Sequence, residues 1–353
     1  MKITPLNSIF SNVQNSYKFY WWLSILEINL KQDKLIISFD EIVLKTISKL
    51  WYPVNYYKLN FGKLDQCSKY IKQIKSFYGL EDNLDERNLY DFLLTIKNDE
   101  LINNITSELT RYVPYRFLRP WYAVQTRLLK DQYVNKTILE FQNHTAPYLI
   151  DPGKKQISVN YEWSNWIHLN FELIKGFTYL KLLKYLEKNN PLVPNLSIKI
   201  KKPVVRKLRK ATILWDEFII SHPREKDVFQ QKCVKEIKEK SLDHFLPWSV
   251  LSHDLIWNLH PVEKEINSSK NNQLPDFKYF HSFSYLQYQF LNFLISSNKD
   301  KPLEDYNILM GASKDELKAL SLNEFEAELA KHYKPIYEIA ENMGFIPNWS
   351  YEN

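Results

Sequence analysis

The chain has 353 residues, of which 44% are hydrophobic and 15% aromatic, so it can build a large core and is not a disordered protein. Its six glycines favour helices over a loop-rich β fold, and its formal charge of +6 suits a polyanionic partner without requiring one. The two cysteines, Cys67 and Cys233, argue against a disulfide scaffold and a C-x-x-C zinc ribbon, and predict reduced thiols in a cytoplasm.

The first two hundred residues carry mainly helical patterns. An apolar run at residues 19–26 is too short to cross a bilayer, so no membrane partner is predicted. Asp151-Pro152-Gly153 supplies a turn between two short extended segments, which predicts a small β-hairpin near 148–159. Apolar periodicity predicts helices over 16–29, from Ser38 to 50, and over 64–78, 85–96, 98–109 and 163–186. A mostly helical N-terminal domain is therefore expected over residues 1–200.

Residues 111–122 alternate arginines with aromatic side chains, in the order Arg-Tyr-Val-Pro-Tyr-Arg-Phe-Leu-Arg-Pro-Trp-Tyr. Such a segment can stack on bases and bind phosphates. It can equally be a proline-rich connector whose aromatic rings fill the core and whose arginines pair with carboxylates. The connector is the favoured interpretation.

A basic run follows a proline-rich linker at 191–203. The run has two interpretations: a solvated start to a helix, or a strip that contacts phosphates without reading sequence. Its position directly before the motif described next keeps both open. The candidate nucleic-acid-binding residues are Lys199, Lys201, Lys202, Arg206, Lys207, Arg209 and Lys210.

A strand–strand–helix pattern lies in the next segment. Residues 240–246, with Asp243 and His244 near the end, predict a strand that stops at the Pro247 turn. Residues 255–259 predict a second strand stopped by Pro261, and 263–273 a short helix. Asn267 and Lys270 lie three residues apart on that helix and therefore share a face.

The polar residues of this pattern suit phosphodiester hydrolysis, which needs a base, a cation and groups that position the phosphate. The imidazole of His244 suits the base because its ordinary pKa is near working pH. Mg²⁺ prefers oxygen ligands and is often held by one or two protein groups. Asp243 and Asn267 offer a carboxylate and an amide oxygen for such an ion.

The complete string, Asp243-His244 followed by Asn258, Asn267 and Lys270 at spacings of 14, 9 and 3, closely resembles the ββα-metal core of HNH nucleases in its His-Asn-Asn form, including the HNH domain of RNA-guided CRISPR nucleases. The resemblance implies that His244 is the general base and that Asp243 and Asn267 bind Mg²⁺ or Mn²⁺ rather than zinc. It implies that Asn258 ties down the loop that orients His244, and that Lys270 lies near the scissile phosphate.

Parts of this segment remain unassigned. The loop between the two strands differs among such enzymes, so the roles of His253 and Asp254 stay open. No role is assigned to His260, which precedes Pro261. The motif places an HNH nuclease domain at 201–300, followed by a C-terminal helical extension at 301–353 with capped helices from Ser313 and Ser321.

The expected protein is therefore an α+β, mainly helical HNH endonuclease that cuts DNA. A phage-defence or restriction role is the hypothesis for its biology, with the N-terminal region binding a partner protein or a second copy. Two alternatives remain: an RNA-directed or toxin-like nuclease, and a non-catalytic nucleic-acid-binding module on an HNH fold.

Overall fold

The structure is a computed structural model that describes residues 1–11, 13–202 and 208–352. The chain divides into two compact units. The first consists of Met1–Pro191 and Leu196–Lys202, and the second of Leu192–Asn195 and Pro203–Asn353. Helices dominate both units, and the strands form two small sheets, so the predicted α+β, mainly helical class is confirmed. Among the helices of the described residues, none is long and apolar enough to cross a membrane.

The first unit is a helical body with one three-stranded sheet. Its strands, β1 (Ile36–Ser38), β2 (Tyr148–Asp151) and β3 (Gln156–Val159), are antiparallel in the order β1-β3-β2. β2 and β3 form the hairpin, and β1 adds an edge strand that has no separate signal in the sequence. The helices are α1 (Tyr17–Gln32), α2 (Phe39–Trp51), α3 (Cys67–Tyr78), α4 (Glu86–Thr95), α5 (Glu100–Thr110), α6 (Val113–Leu118), α7 (Ala123–Thr126), α8 (Asp131–Phe141), α9 (Tyr161–Asn189) and α10 (Leu196–Lys199).

The core of the first unit is built around α1, which packs against both α2 and α9. Apolar side chains lie on all sides of α1, and Trp21 and Trp22 are both buried. The start of α2 is fixed by Ser38, whose hydroxyl accepts from the Glu41 backbone N–H while the Glu41 carboxylate accepts from the Ser38 N–H. This capping box confirms the helix start predicted at Ser38.

The second unit combines a two-stranded sheet with a helical shell. Its strands are β4 (Lys240–His244) and β5 (Leu259–Glu263). Ser313 and Ser321 each form a capping box at their helix, as predicted from the sequence. The helices are α11 (Arg209–Ser221), α12 (Trp248–Leu251), α13 (Lys264–Lys270), α14 (Phe280–Ser296), α15 (Asp300–Met310), α16 (Lys314–Ala319) and α17 (Leu322–Asn342).

The second strand of the motif begins later than predicted. Residues 256–258 form a 3₁₀ turn, and β5 starts at Leu259 and continues through Pro261, which pairs with Leu242. The prediction that the strand covers 255–259 and stops at Pro261 is wrong. Proline is tolerated here because both strands of a two-stranded sheet are edge strands, where an N–H can be missing. The antiparallel register sets Asp243 opposite His260 and His244 opposite Leu259.

Aromatic packing joins the sheet to the C-terminal helices. Phe283 of α14 stacks on Phe245, with ring centroids 4.1 Å apart, and Tyr333 of α17 lies 5.4 Å from Phe283. The final segment also returns to the motif, since Leu274 N–H donates to the Ile346 carbonyl and Trp349 N–H to that of Leu274. Helices α14 and α17 and the final segment therefore support the β4–β5 sheet and the chain that follows it.

Candidate active site

The candidate site lies at the end of β4, where the chain turns at Pro247. Asp243 and His244 are the last two residues of the strand, and only 5% and 3% of their surfaces are exposed. The Asp243 Oδ1 accepts the backbone N–H of His244 at 2.7 Å. The two side chains leave opposite faces of the strand, as consecutive strand residues must.

Asp243 forms a buried ion pair with Lys270 of α13. The Lys270 Nζ lies 3.0 Å from the Asp243 Oδ2 and also donates to the His244 carbonyl at 2.8 Å. Burial alone would raise the pKa of Asp243, but the Lys270 ammonium and the nearby His260 ring lower it to about 2. The carboxylate is therefore ionised at neutral pH, and its charge is balanced inside the protein.

This pair gives Lys270 a partner that the sequence does not predict. The sequence predicts a cation beside the scissile phosphate, whereas the structure buries Lys270 completely and directs its amine to Asp243 and the His244 carbonyl. The reason is that α13 packs against β4, so a lysine on the helix face shared by Asn267 and Lys270 is directed towards the strand.

His260 faces Asp243 across the two strands and has no predicted role. Its Nε2 lies 3.7 Å from the Asp243 Oδ2, which is longer than a hydrogen bond, and its ring is completely buried. The rings of Phe229 and Phe283 lie around it, with centroids 5.2 and 5.7 Å away. The correct strand register is the signal that would have placed His260 beside Asp243.

His244 is paired with Asp254 from the loop between the strands. The His244 Nε2 and the Asp254 Oδ1 are 3.0 Å apart, and the Asp254 side chain remains 29% exposed. A carboxylate beside an imidazole orients the ring and stabilises the cation formed when the ring takes up a proton. Asp254 is thus a site residue whose role the sequence left open.

Asn258 fixes the loop that follows His244. Its Oδ1 accepts the Leu246 N–H and its Nδ2 donates to the Leu246 carbonyl, both at 2.9 Å. The Tyr333 hydroxyl, from α17, donates to the same Oδ1 at 2.9 Å and lies 3.0 Å from the Trp257 carbonyl. Because Asn258 is completely buried, these bonds hold the turn after His244 in one conformation.

Asn267 presents its amide oxygen away from the strand. Its Nδ2 donates to the Ser241 hydroxyl at 3.1 Å and to the Leu242 carbonyl at 3.2 Å. These two bonds fix the amide orientation, because a carbonyl can only accept. Within the described residues, no donor to the Asn267 Oδ1 is seen.

The donor types at this site fit a hard divalent cation, with one condition. Asp243 is an ionised carboxylate, and Asn267 offers an amide oxygen, and both are ligand types that Mg²⁺ accepts. The condition concerns Lys270, whose ammonium group already pairs with the Asp243 Oδ2. In the described parts of the chain, no group of three or more His, Cys, Asp or Glu side chains is arranged to hold a metal.

The predicted basic strip is divided in the structure. Lys199 departs from the expectation, since it is completely buried and burial lowers its pKa to about 7. Lys202 pairs with Asp85, and the Lys201 amine lies 4.3 Å from the centre of the Tyr179 ring. The remaining members are Arg209 and Lys210, exposed at the start of α11, and Arg206 and Lys207, which lie outside the described residues.

Comparison with known proteins identifies the segment that forms this site. A family model described as HNH endonuclease matches residues 230–276, which contain β4, β5, α13 and the five motif residues. No match was found among curated proteins or among solved structures. The family match covers a small part of the second unit and none of the first.

Proposed function

We propose that this protein, which carries an HNH endonuclease domain, is a metal-dependent endonuclease that hydrolyses phosphodiester bonds in DNA. One observation carries the proposal. Within the segment matched by the family model, a His244–Asp254 pair lies at the end of the strand to which the Asn267 amide nitrogen is bonded, and no described residue donates to the Asn267 amide oxygen. A base and a cation ligand are the two groups that this hydrolysis requires.

We propose that His244 is the general base. Its imidazole takes a proton from the attacking water, and the Asp254 carboxylate at 3.0 Å stabilises the resulting imidazolium. Asn258 positions the ring indirectly, because it fixes Leu246 from both sides and so sets the path of the chain after His244. Tyr333 supports Asn258 from α17.

Asn267 and Asp243 are the proposed ligands of a Mg²⁺ or Mn²⁺ ion. Such an ion would supply positive charge to the phosphate and the departing oxygen. The Lys270 ammonium and the ion compete for the same Asp243 oxygen, so cation binding requires Lys270 to share or give up that contact. Lys270 is then available to balance charge at the phosphate, which is the role that the resemblance to HNH nucleases implies for it.

DNA is the proposed substrate, and RNA is the alternative tested beside it. The formal charge of +6 and the exposed Arg209 and Lys210 support binding to a nucleic acid backbone. Cys67 and Cys233 are both free thiols, as is usual for a protein of the cytoplasm, where we propose that it acts in phage defence or restriction. The first unit is the proposed binding region for a partner protein or second copy.

A non-catalytic nucleic-acid-binding module is the second candidate, and one observation favours it. Lys270 already balances the charge of the Asp243 carboxylate on which cation binding depends. In that case the protein would bind nucleic acid by the same unit and cut none.

Cleavage of supercoiled plasmid and of a matched RNA, with Mg²⁺ or Mn²⁺ and with EDTA, separates these functions. We expect metal-dependent nicking of DNA that falls about 10²- to 10⁴-fold in His244→Ala, the usual contribution of a general base. His281→Ala is the matched control, because the His281 side chain is 71% exposed and its ring contacts Glu326, away from the motif residues.

Three results would contradict the proposal. Equal nicking by His244→Ala and wild type would remove His244 as the base. Cleavage of RNA alone would assign the other polymer. Binding of DNA with no cleavage in either metal would favour the non-catalytic module.

A further inference from the structure

Three cationic side chains converge on a cavity in the first unit, far in sequence from the HNH motif. Lys18 of α1, Arg116 of α6 and Arg119 of the following 3₁₀ turn line a cavity of about 890 Å³, here called the cationic cavity. We propose that the cationic cavity binds a nucleotide through its phosphate groups. The proposal is independent of the function of the second unit.

The positive charge of the cationic cavity exceeds its negative charge. Neither Lys18 nor Arg119 forms an ion pair with a carboxylate of the described residues. Arg116 bonds Asp131 through its Nη2 at 2.8 Å, but its Nη1 is buried without a hydrogen-bond partner. Glu108 also lines the cavity and accepts a bond from the Tyr70 hydroxyl.

Asp131 offsets part of the Arg116 charge, but 76% of its side chain is exposed to solvent. A charge that is solvated in this way screens its partner only weakly. Folding thus leaves a buried guanidinium N–H unsatisfied beside two further cations, which costs free energy. A phosphate supplies both the negative charge and the acceptor oxygens.

The electrostatics of Lys18 agree with this geometry. Burial and, to a smaller extent, the neighbouring Arg119 and Arg116 together lower the pKa of Lys18 to about 8. Burial likewise lowers the pKa of Arg116. An anion bound among the three would reverse these effects, because it favours the charged forms.

The aromatic residues of the cavity point to a nucleotide rather than a simple anion. Tyr17, Tyr70 and Tyr112 contribute to the lining. The Tyr112 ring is 46% exposed, and the guanidinium of Arg116 lies 5.6 Å from its centre. An exposed ring beside a cation is a surface on which a planar base stacks.

The size of the site favours a small molecule over a strand. A volume of about 890 Å³ lies within the range of pockets for small ligands, roughly 300–1,000 Å³. A second cavity of about 750 Å³ shares Lys18 and Arg119 and adds Arg127, so the positive lining continues beyond the cationic cavity. More than one phosphate can therefore be accommodated.

The test is isothermal titration calorimetry of the full chain with the four common ribonucleoside triphosphates, adenosine, inorganic tripolyphosphate and a short single-stranded oligodeoxynucleotide. We expect at least one triphosphate to bind more tightly than tripolyphosphate, and adenosine not to bind. Lys18→Met and Arg119→Gln should each weaken that binding by about 10-fold or more, equivalent to about 1.4 kcal/mol.

Arg87→Gln is the matched control, because Arg87 is an arginine of the same unit that is 89% exposed and lies outside the cationic cavity. It should bind as the wild type does. The proposal is overturned if no triphosphate binds, if tripolyphosphate binds as tightly as every nucleotide, if only the oligodeoxynucleotide binds, or if Arg87→Gln loses as much affinity as the two cavity variants.

Discussion

The candidate active site of the second unit and the cationic cavity of the first differ in how their charges are balanced. In the second unit, Asp243 and Lys270 are both buried and lie 3.0 Å apart, so the candidate active site is neutralised by its own side chains. In the first unit, Lys18 and Arg119 have no carboxylate partner among the described residues, and the Arg116 Nη1 has no acceptor.

The difference separates charge that belongs to the fold from charge that is directed to a ligand. A buried ion pair costs little when its geometry is good, but either partner alone is strongly destabilising. Buried charges without partners are therefore expected where a ligand completes them. By this criterion the cationic cavity is preorganised for an anion. The Asp243–Lys270 ion pair, in contrast, must be broken by any ligand that binds to either side chain.

Removal of Lys270 should produce the largest loss of stability, because it breaks the Asp243–Lys270 ion pair of the second unit. Lys270→Met leaves the Asp243 carboxylate buried and alone, so we expect the free energy of unfolding to fall by about 3–5 kcal/mol in urea denaturation. Added Mg²⁺ should restore part of that loss if Asp243 is a cation ligand. Lys264→Met is the control on the same helix, with 70% exposure and an expected change within about 0.5 kcal/mol. Equal losses in the two variants would refute a stabilising Asp243–Lys270 pair.

Asp254→Asn should lower nicking by about 10- to 100-fold, the usual effect of losing a group that orients a catalytic ligand. Because Asp254 contacts His244 rather than substrate, kcat should fall while KM stays close to the wild-type value. Asp254→Glu should recover part of the activity. Asp216→Asn, a partly exposed aspartate that pairs with Lys240, serves as the control. A change in KM alone would show that Asp254 acts through substrate binding instead.

Tyr333→Phe should have a smaller effect. It removes hydrogen bonds to the Trp257 carbonyl and the Asn258 Oδ1 while keeping the ring, so a loss of about 1–2 kcal/mol in unfolding free energy is expected. Tyr337→Phe, on the same helix, removes only a 3.3 Å contact to the Asn348 N–H and should cost less. The comparison fails if Tyr337→Phe is the more damaging change.

Lys18→Met should give the smallest change in stability. It tests whether the Lys18 charge is unbalanced within the first unit. The pKa of Lys18 is lowered from 10.5 to about 8 by burial and by the two arginines, so the folded state disfavours its charged form. The free energy of unfolding is therefore reduced by a penalty that is fully present below about pH 8. The penalty disappears as the pH rises towards 10.5.

We expect Lys18→Met to raise the melting temperature by about 1–2 °C at pH 7 and not at pH 10. The same substitution should weaken nucleotide binding by about 10-fold or more, so it should raise stability while it lowers affinity. A lower melting temperature at pH 7 would show that Lys18 is satisfied within the protein.

Local signals were sufficient for much of the fold. Ser38, Ser313 and Ser321 begin helices as their capping boxes predict, because a cap depends on residues only three positions apart. The motif spacing also located the segment that the HNH family model matches. The start of β5 was missed, because the preference of Pro261 to end a strand was outweighed by pairing in a sheet that has only edges.

The partners within each site could not be read from the sequence. Asp254 reaches His244 through the shape of a loop, and Lys270 reaches Asp243 through the distance between a helix and a strand. Lys18 and Arg116 are separated by about a hundred residues and meet only when α1 and α6 pack together. Such contacts follow from tertiary packing, for which a single sequence gives no direct signal.

The bond from Tyr333 to Asn258 has a consequence for the moment at which the protein is made. Asn258 leaves the ribosome well before α17 does, and chain synthesis at about 5–20 residues per second separates them by several seconds. During that interval Asn258, which holds the turn after His244, lacks its hydrogen bond from the Tyr333 hydroxyl. A nascent or prematurely terminated chain thus carries every residue of the motif without the support that holds them in place, which delays the proposed cutting activity until the last long helix has folded.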